Sequence, residues 1–245
     1  MTLIMRTSVL ALVVLCLAAS VHWSLGQWST SRVDLLAMQA AQGQDLARWQ
    51  LQVAVWADHP RALLARGLLM LAEQDPANTS RGLDLLERAA RKGETEAAMD
   101  LGRIHFHGLN GAAPDYALAR RWLEMAVSRQ PAAAYYLALI DRNGLDGPAH
   151  PERALAGLKQ AADGGIAEAQ FLLGNACLSG EAGERDEALA SHYFRQAAEQ
   201  EHPGALQALA LAHAHGELGL PRDEAQANVL FALAADALQG QPRRP

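Results

Sequence analysis

Lysine is almost missing from this chain: Lys92 and Lys159 are the only two among 245 residues. Cysteine is equally scarce. Cys16 and Cys177 are the whole supply, so beyond Cys16 no intramolecular disulfide framework is available to hold a fold together. Aromatic residues make up only 5%. After residue 27 there are five valines and three isoleucines, too few β-branched apolar side chains to build a sheet of any size. Those shortages exclude sandwiches, barrels and parallel α/β folds, and leave an all-helical protein. Positive charge is also short. The net charge is −6 with a pI near 5.8, which argues against nucleic acid or acidic lipid as the main partner.

What is present is alanine and leucine, 50 and 39 residues, together more than a third of the chain. The N-terminus stands apart from the rest. Arg6 is the only charged side chain before Arg32, and Thr7–Gly26 is an uncharged, mostly apolar run of 20 residues. Its centre, Val9 to Ala19, has the make-up of a signal-peptide core, with Ala18, Ala19 and Ser20 as small residues for cleavage. The same run reaches the minimum length for a spanning helix, and Trp23 and Trp28 lie where interfacial aromatics anchor an outer end. Residues 1–26 are therefore read as a signal peptide or an N-terminal transmembrane anchor, and both place the remainder outside the cytoplasm. Cys16 is preceded by Leu15 rather than a small residue, which argues against a lipid anchor. Cys177 sits in an apolar helical stretch and reads as a small buried hydrophobe rather than a reactive thiol.

Beyond the leader the sequence repeats with a 36-residue step. Ala54, Ala90, Ala126, Ala162, Ala198 and Ala234 fall on one register. In phase with them run Ala97, Ala133, Ala169 and Ala205, then Leu101, Leu137, Leu173 and Leu209, then Gly108, Gly144, Gly180 and Gly216. The residue after each Leu is small: Gly102, Ala138, Gly174 and Ala210. Each period reads as two helices. Helix A runs from the Ala to the Gly, whose place just past a helix C-terminus suits a positive φ. Helix B follows a short loop, with Asp115, Glu152, Asp186 and Asp223 at or near its start, where a carboxylate suits the dipole. Glycine inside a helix, as at Gly102 and Gly174, costs about 1 kcal/mol against alanine, so close approach of the partner helix is expected there.

The pattern A-x-x-x-L-G-x-x-x-x-x-G, followed by D-x-x-x-A-x-x-x-x-x-x-A-A, resembles the Sel-one-like repeat, a relative of the tetratricopeptide repeat. Ala169 to Gln200 is the best-matching unit, and Trp122 and Phe194 occupy the family's aromatic position in helix B. Where the family usually has Tyr, four residues after the Leu, this chain has His105, Asp141, Cys177 and His213, so less regular packing is expected there. The resemblance implies an all-α, right-handed α-solenoid of antiparallel helix pairs with a concave face. Its expected organisation is a helical cap with a degenerate repeat over 27–58, a degenerate repeat over 59–94, four repeats over 95–238, and a polar tail over 239–245.

Chemistry is harder to find. His105 with His107, and His213 with His215, occupy equivalent places three repeats apart, but neighbours two apart on a helix point about 200° from one another. Neither pair chelates one metal, so no metal site is expected, and no cofactor. There is no G-x-S-x-G, S-x-x-K or phosphate loop, and no catalytic residue is assigned. On helix A, Ala98, Leu101, Gly102 and His105 share a face suited to packing. Met99, Arg103 and Phe106 share another, which corresponds to the groove-lining positions of tetratricopeptide units. With Tyr135, Leu139, Arg142, Phe171 and Leu178 from the following repeats, they form an expected partner-binding strip. The alternative is that the solenoid buries this strip in its own interior.

The expected function is a non-enzymatic protein-interaction scaffold or adaptor of the bacterial envelope, tethered to the inner membrane, with a periplasmic domain that binds a protein partner. A periplasmic regulator or inhibitor of a signalling receptor stays open, soluble if the leader is cleaved, as does an exported hydrolase with a site built on the solenoid.

Overall fold

A computed structural model describes residues 29–73, 75–109 and 112–240. The signal-peptide or anchor reading of residues 1–26, and residues 241–245 of the polar tail, lie outside them. Among the described residues there are twelve helices and no strand: α1 (Thr30–Ala41), α2 (Asp45–Trp56), α3 (Pro60–Ala72), α4 (Pro76–Arg91), α5 (Thr95–His107), α6 (Tyr116–Ala126), α7 (Pro131–Asn143), α8 (Pro151–Asp163), α9 (Ala167–Ser179), α10 (Glu187–Ala198), α11 (Pro203–His215) and α12 (Glu224–Gly240). None of these is long and apolar enough to cross a membrane. The fold is an all-α solenoid of helix pairs. The described residues divide into two compact units between Leu101 and Gly102, inside α5.

The period is written into the helix ends. α3, α5, α7, α9 and α11 are each 13 residues long. Proline, whose missing N–H costs nothing in a first turn, opens α3, α4, α7, α8 and α11. Side-chain carboxylates of Asp115, Asp186 and Asp223 accept the backbone N–H of Leu118, Leu189 and Gln226, each at 2.9 Å, and cap α6, α10 and α12. At the other ends, Gly108, Gly144, Gly180 and Gly216 all have positive φ, between 59° and 77°, as their register predicts. Glu152 lies in the first turn of α8, behind Pro151.

Pairs run antiparallel and pack by reciprocal size. A Cβ on Gly174 would lie 2.5 Å from the ring of Phe194, and one on Gly102 would lie 2.5 Å from the side chain of Leu123. Where helix A carries Ala138 instead, helix B answers with Gly157, whose Cβ would lie 3.1 Å from that of Ala138. In the first unit both partners are glycine: a Cβ on Gly67 would sit 2.9 Å from the carbonyl oxygen of Gly82, and the reverse holds too. Close approach thus offsets the helix penalty at Gly102 and Gly174. The residue opposite Gly102 is Leu123, one place on from Trp122, which is buried as well. Ala97, Ala133, Ala169 and Ala205 are wholly buried, whereas in the other alanine register Ala198 is only half-buried.

The packing expected to loosen where the family has Tyr is regular in its backbone. The carbonyls of His105, Asp141, Cys177 and His213 accept the backbone N–H of Asp115, His150, Asp186 and Asp223 at 2.8, 2.7, 3.0 and 2.8 Å. Each is the residue that precedes helix B, so this bond sets the return angle of the chain in all four repeats. Because a main-chain carbonyl makes it, the side chain there is released to differ. Cys177 is buried in the last apolar cluster, and burial pushes its thiol up from the ordinary range.

Asp141 uses the same position for charge. Its carboxylate is buried and pairs with Arg120 of α6 at 2.7 Å and Arg153 of α8 at 3.4 Å. Arg120 also holds Asp146 in the following loop, which keeps that carboxyl below its usual range. One ion cluster therefore ties α6, α7 and α8 together. In the first unit Arg61 of α3 plays a similar part, reaching Asp34 of α1 at 2.6 Å, Glu94 at 3.7 Å and Glu96.

Candidate partner-binding surface

Helical periodicity puts two faces on every helix A. The packing face is closed: Ala98 and Leu101 are buried with Gly102, and His105 is half-buried. The other face stays partly open in each repeat. Met99, Phe106, Tyr135, Leu139, Arg142, Phe171 and Leu178 are all half-buried, and Arg103 is exposed. The equivalent residues of α11, Gln207 and Leu211, are exposed. Met99 belongs to the first unit and the other seven to the second.

Within the second unit several of these side chains are joined by rings. Phe106 of α5 stands edge-on to Tyr136 of α7 at 5.0 Å and to Tyr116 of α6 at 5.5 Å. Tyr136 in turn meets Tyr135 at 5.3 Å, and its hydroxyl lies 3.4 Å from Nε2 of His107. Phe106 and Tyr135 are thereby linked through Tyr136. Arg142 pairs with Glu181 at 2.9 Å. Phe171 is a bridge of a different kind: it stacks on His202 at 4.6 Å and touches Phe194 of the core at 5.8 Å. Tyr135 and Leu178 likewise lean on apolar clusters. One edge of the strip therefore belongs to the packing and the other faces outward.

Tyr116, Tyr136, His107 and His202 escaped the register argument. Tyr136 and His107 sit one position off the groove-lining series, Tyr116 lies on α6 and His202 caps α11. The crossing of α5, α6 and α7 gathers the first three around Phe106, and the packing of α9 on the start of α11 brings His202 to Phe171. Adjacent Tyr135 and Tyr136 were the available signal, since neighbouring positions on a helix cover two faces. Among the described residues no group of three or more His, Cys, Asp or Glu side chains is placed to hold a metal ion.

His202 carries a pH dependence. Its Nδ1 accepts the backbone N–H of Ala205 at 3.2 Å and caps α11, a role open only to the neutral ring. Burial holds the imidazole below its ordinary range, while Glu168 pulls the other way. Above the ordinary value of about 6.5 the ring is neutral in both folded and unfolded chains. Below it the unfolded chain binds the proton first, so stability is lost from there down to the lowered folded value. The melting temperature is expected to fall as pH drops from about 7.5 to about 5. His202→Asn keeps an acceptor for the cap, and melts followed by circular dichroism should show a shallower slope in that variant. An identical slope would place the titration elsewhere.

A family model described as Sel1 repeat matches residues 60–94, 95–130, 131–166, 167–202 and 203–237. It takes in the unit that register alone reads as degenerate; α3 begins 35 residues before α5, not 36, which accounts for Gly67 standing one place out of step with Gly102. No curated protein matches the sequence. A Sel1 repeat protein from Oxalobacter formigenes superposes with a TM-score of 0.71 at 18% identity, over 89% of this chain and 87% of that one. The protective antigen c5321 of uropathogenic Escherichia coli strains, which displays an SLR fold, superposes with a TM-score of 0.74 at 21% identity over 91% of this chain. This chain spans 49% of that structure. At such identities both relatives speak for the fold.

Proposed function

The chain belongs to the Sel1 repeat family, whose members are generally protein–protein interaction scaffolds, and we propose that it binds a partner protein of the bacterial envelope along the half-open face of its A helices. In this reading the uncharged run Thr7–Gly26 behind Arg6 exports the repeats and tethers them to the inner membrane. The observation that carries the binding surface is the persistence of large side chains on a face that is not closed by packing. Phe106, Tyr135, Leu139 and Leu178 stay apolar or aromatic at positions left half-buried. A face without a binding role on an acidic solenoid would carry Glu, Gln or Lys at these places. Arginine and aromatic residues are also the types that dominate interface energies.

The outward edge gives the cleaner test, because its residues contribute least to the core. Arg103 and Arg142, 39 positions apart, are suited to grip carboxylates or carbonyls of a partner helix or extended segment. The double variant Arg103→Ala/Arg142→Ala gives up the part-exposed Arg142–Glu181 pair at a cost of at most about 1 kcal/mol. It should stay folded yet bind its partner at least tenfold more weakly, a loss of about 1.4 kcal/mol or more. Crosslinked envelope preparations, compared quantitatively between parent and variant, provide the readout. A folded variant that recovers every partner of the parent at the same level removes the strip from consideration.

A further inference from the structure

The first described helix pair ends in an apolar surface where a solenoid needs a polar cap to stay in solution. α2 turns Ala47, Leu51, Val53, Ala54 and Val55 inward. On its other side Leu46, Trp49 and Trp56 are 68%, 58% and 73% exposed. At about 100° per residue these three fall within an arc of about 80°, which also holds the buried Val53 and lies opposite the other four buried residues. α1 repeats the arrangement, burying Val33, Leu36 and Ala40 and exposing Leu35 and Met38. Two tryptophans left this open on one helix face mark a docking surface, not scattered apolar residues.

The chain itself says what covers them. Nε of Arg48 donates to the carbonyl of Ala40 at 3.3 Å, so α2 runs back along α1 and ends with Trp56 level with Arg32. That is the end of the pair where the uncharged run Thr7–Gly26 stops. Four residue steps separate Gly26 from Thr30, a reach of at most about 14 Å, and Trp28 lies within them. An indole that is apolar in body and polar at its N–H sits best at the boundary between headgroups and acyl chains. The pair itself has no basic cluster to call for acidic lipid, since Arg48 stands 3.6 Å from Asp45. Where Trp56 borders Arg66, Arg81 and Arg88 of α3 and α4, the cleft also holds Asp84, and Arg88 pairs with Asp58 at 2.8 Å.

We infer that the outward face of α1 and α2, with Trp49 and Trp56 at its centre, lies in the headgroup–acyl boundary of the membrane that holds the N-terminal run. The occupant is a zwitterionic lipid surface. The first helix pair is then docked on the bilayer, not hung from a loose tether, and the membrane supplies the polar-to-apolar transition that the solenoid's own end lacks. This rests on the tether reading above.

The test uses the full chain reconstituted into phosphatidylcholine vesicles, with lipids brominated high on the acyl chain as quenchers of tryptophan emission. Trp23→Phe/Trp28→Phe leaves Trp49, Trp56 and the buried Trp122 as emitters. Emission from this variant should drop in brominated vesicles. The drop should vanish when Trp49→Phe and Trp56→Phe are added, changes on exposed side chains that keep the surface apolar. A chain that floats with the vesicles but is quenched equally with and without Trp49 and Trp56 overturns the docked face and leaves the tether standing. A chain that does not float overturns both.

Discussion

Asp141→Ala is expected to destabilise the second unit by at most about 3–5 kcal/mol, the cost of leaving a buried charge without any partner. Removing the carboxylate strands Arg120, which points inward from α6, and takes away a contact of Arg153 on α8. Arg120 keeps Asp146, so it is not left wholly unpaired. The sharper signature is non-additivity. Arg120→Met/Asp141→Leu removes both charges and puts apolar atoms in their place, but it also takes a partner from Asp146, so its loss should be smaller than the sum of the two single losses. Urea titrations of the parent, Arg120→Met, Asp141→Leu and the double variant measure this; a double variant whose loss equals the sum of the singles would mean the two side chains do not act as a pair. The cluster also sets an acid limit. Because Asp146 is held below its usual range by Arg120, its contribution is present above the ordinary aspartate value of about 3.9. It is lost as pH falls through the lowered folded value, the direction expected of a paired carboxylate.

Phe194→Ala should cost about 3–5 kcal/mol, since the ring is wholly buried and its removal opens a cavity between α9 and α10. The companion change tests the size rule directly. Alanine is the better helix former by about 1 kcal/mol, so on propensity alone Gly174→Ala should stabilise α9. It is expected to do the reverse, because its Cβ would enter the ring of Phe194 at 2.5 Å. Gly174→Ala/Phe194→Leu should recover part of the loss, since a smaller partner makes room for the methyl group. Thermal melts of the three variants decide it. A stabilised Gly174→Ala would show that the two helices are free to separate at that point.

The helical class, the 36-residue period and the glycines that end α5, α7, α9 and α11 were all legible in the amino-acid sequence. Each depends on interactions between residues close in the chain. Composition excludes a sheet, periodicity places the apolar faces, and a left-handed turn selects glycine whatever packs around it. The need for close approach at Gly102 and Gly174 was legible for the same reason, as a local penalty that something had to offset. What offsets it was not. Leu123 lies 21 positions from Gly102 and Phe194 lies 20 from Gly174, while Ala138 is answered by a glycine 19 positions on. The crossing of two helices chooses among those offsets.

The candidate surface divides along the same line. Register alone identified the eight residues from Met99 to Leu178 as one face of the A helices, and that face is the half-open one. Which edge faces outward and which leans on the core depends on residues outside that register: Tyr136 against Phe106, and His202 against Phe171. The buried pairing of Asp141 was invisible for a related reason. In the sequence it stands where the other repeats have His105, Cys177 and His213, and the shared requirement turned out to be a backbone carbonyl that constrains no side chain. Local chemistry determined the elements and their faces. Tertiary packing alone decided which side chain meets which, because a meeting across two helices depends on their crossing, and no single helix contains that crossing.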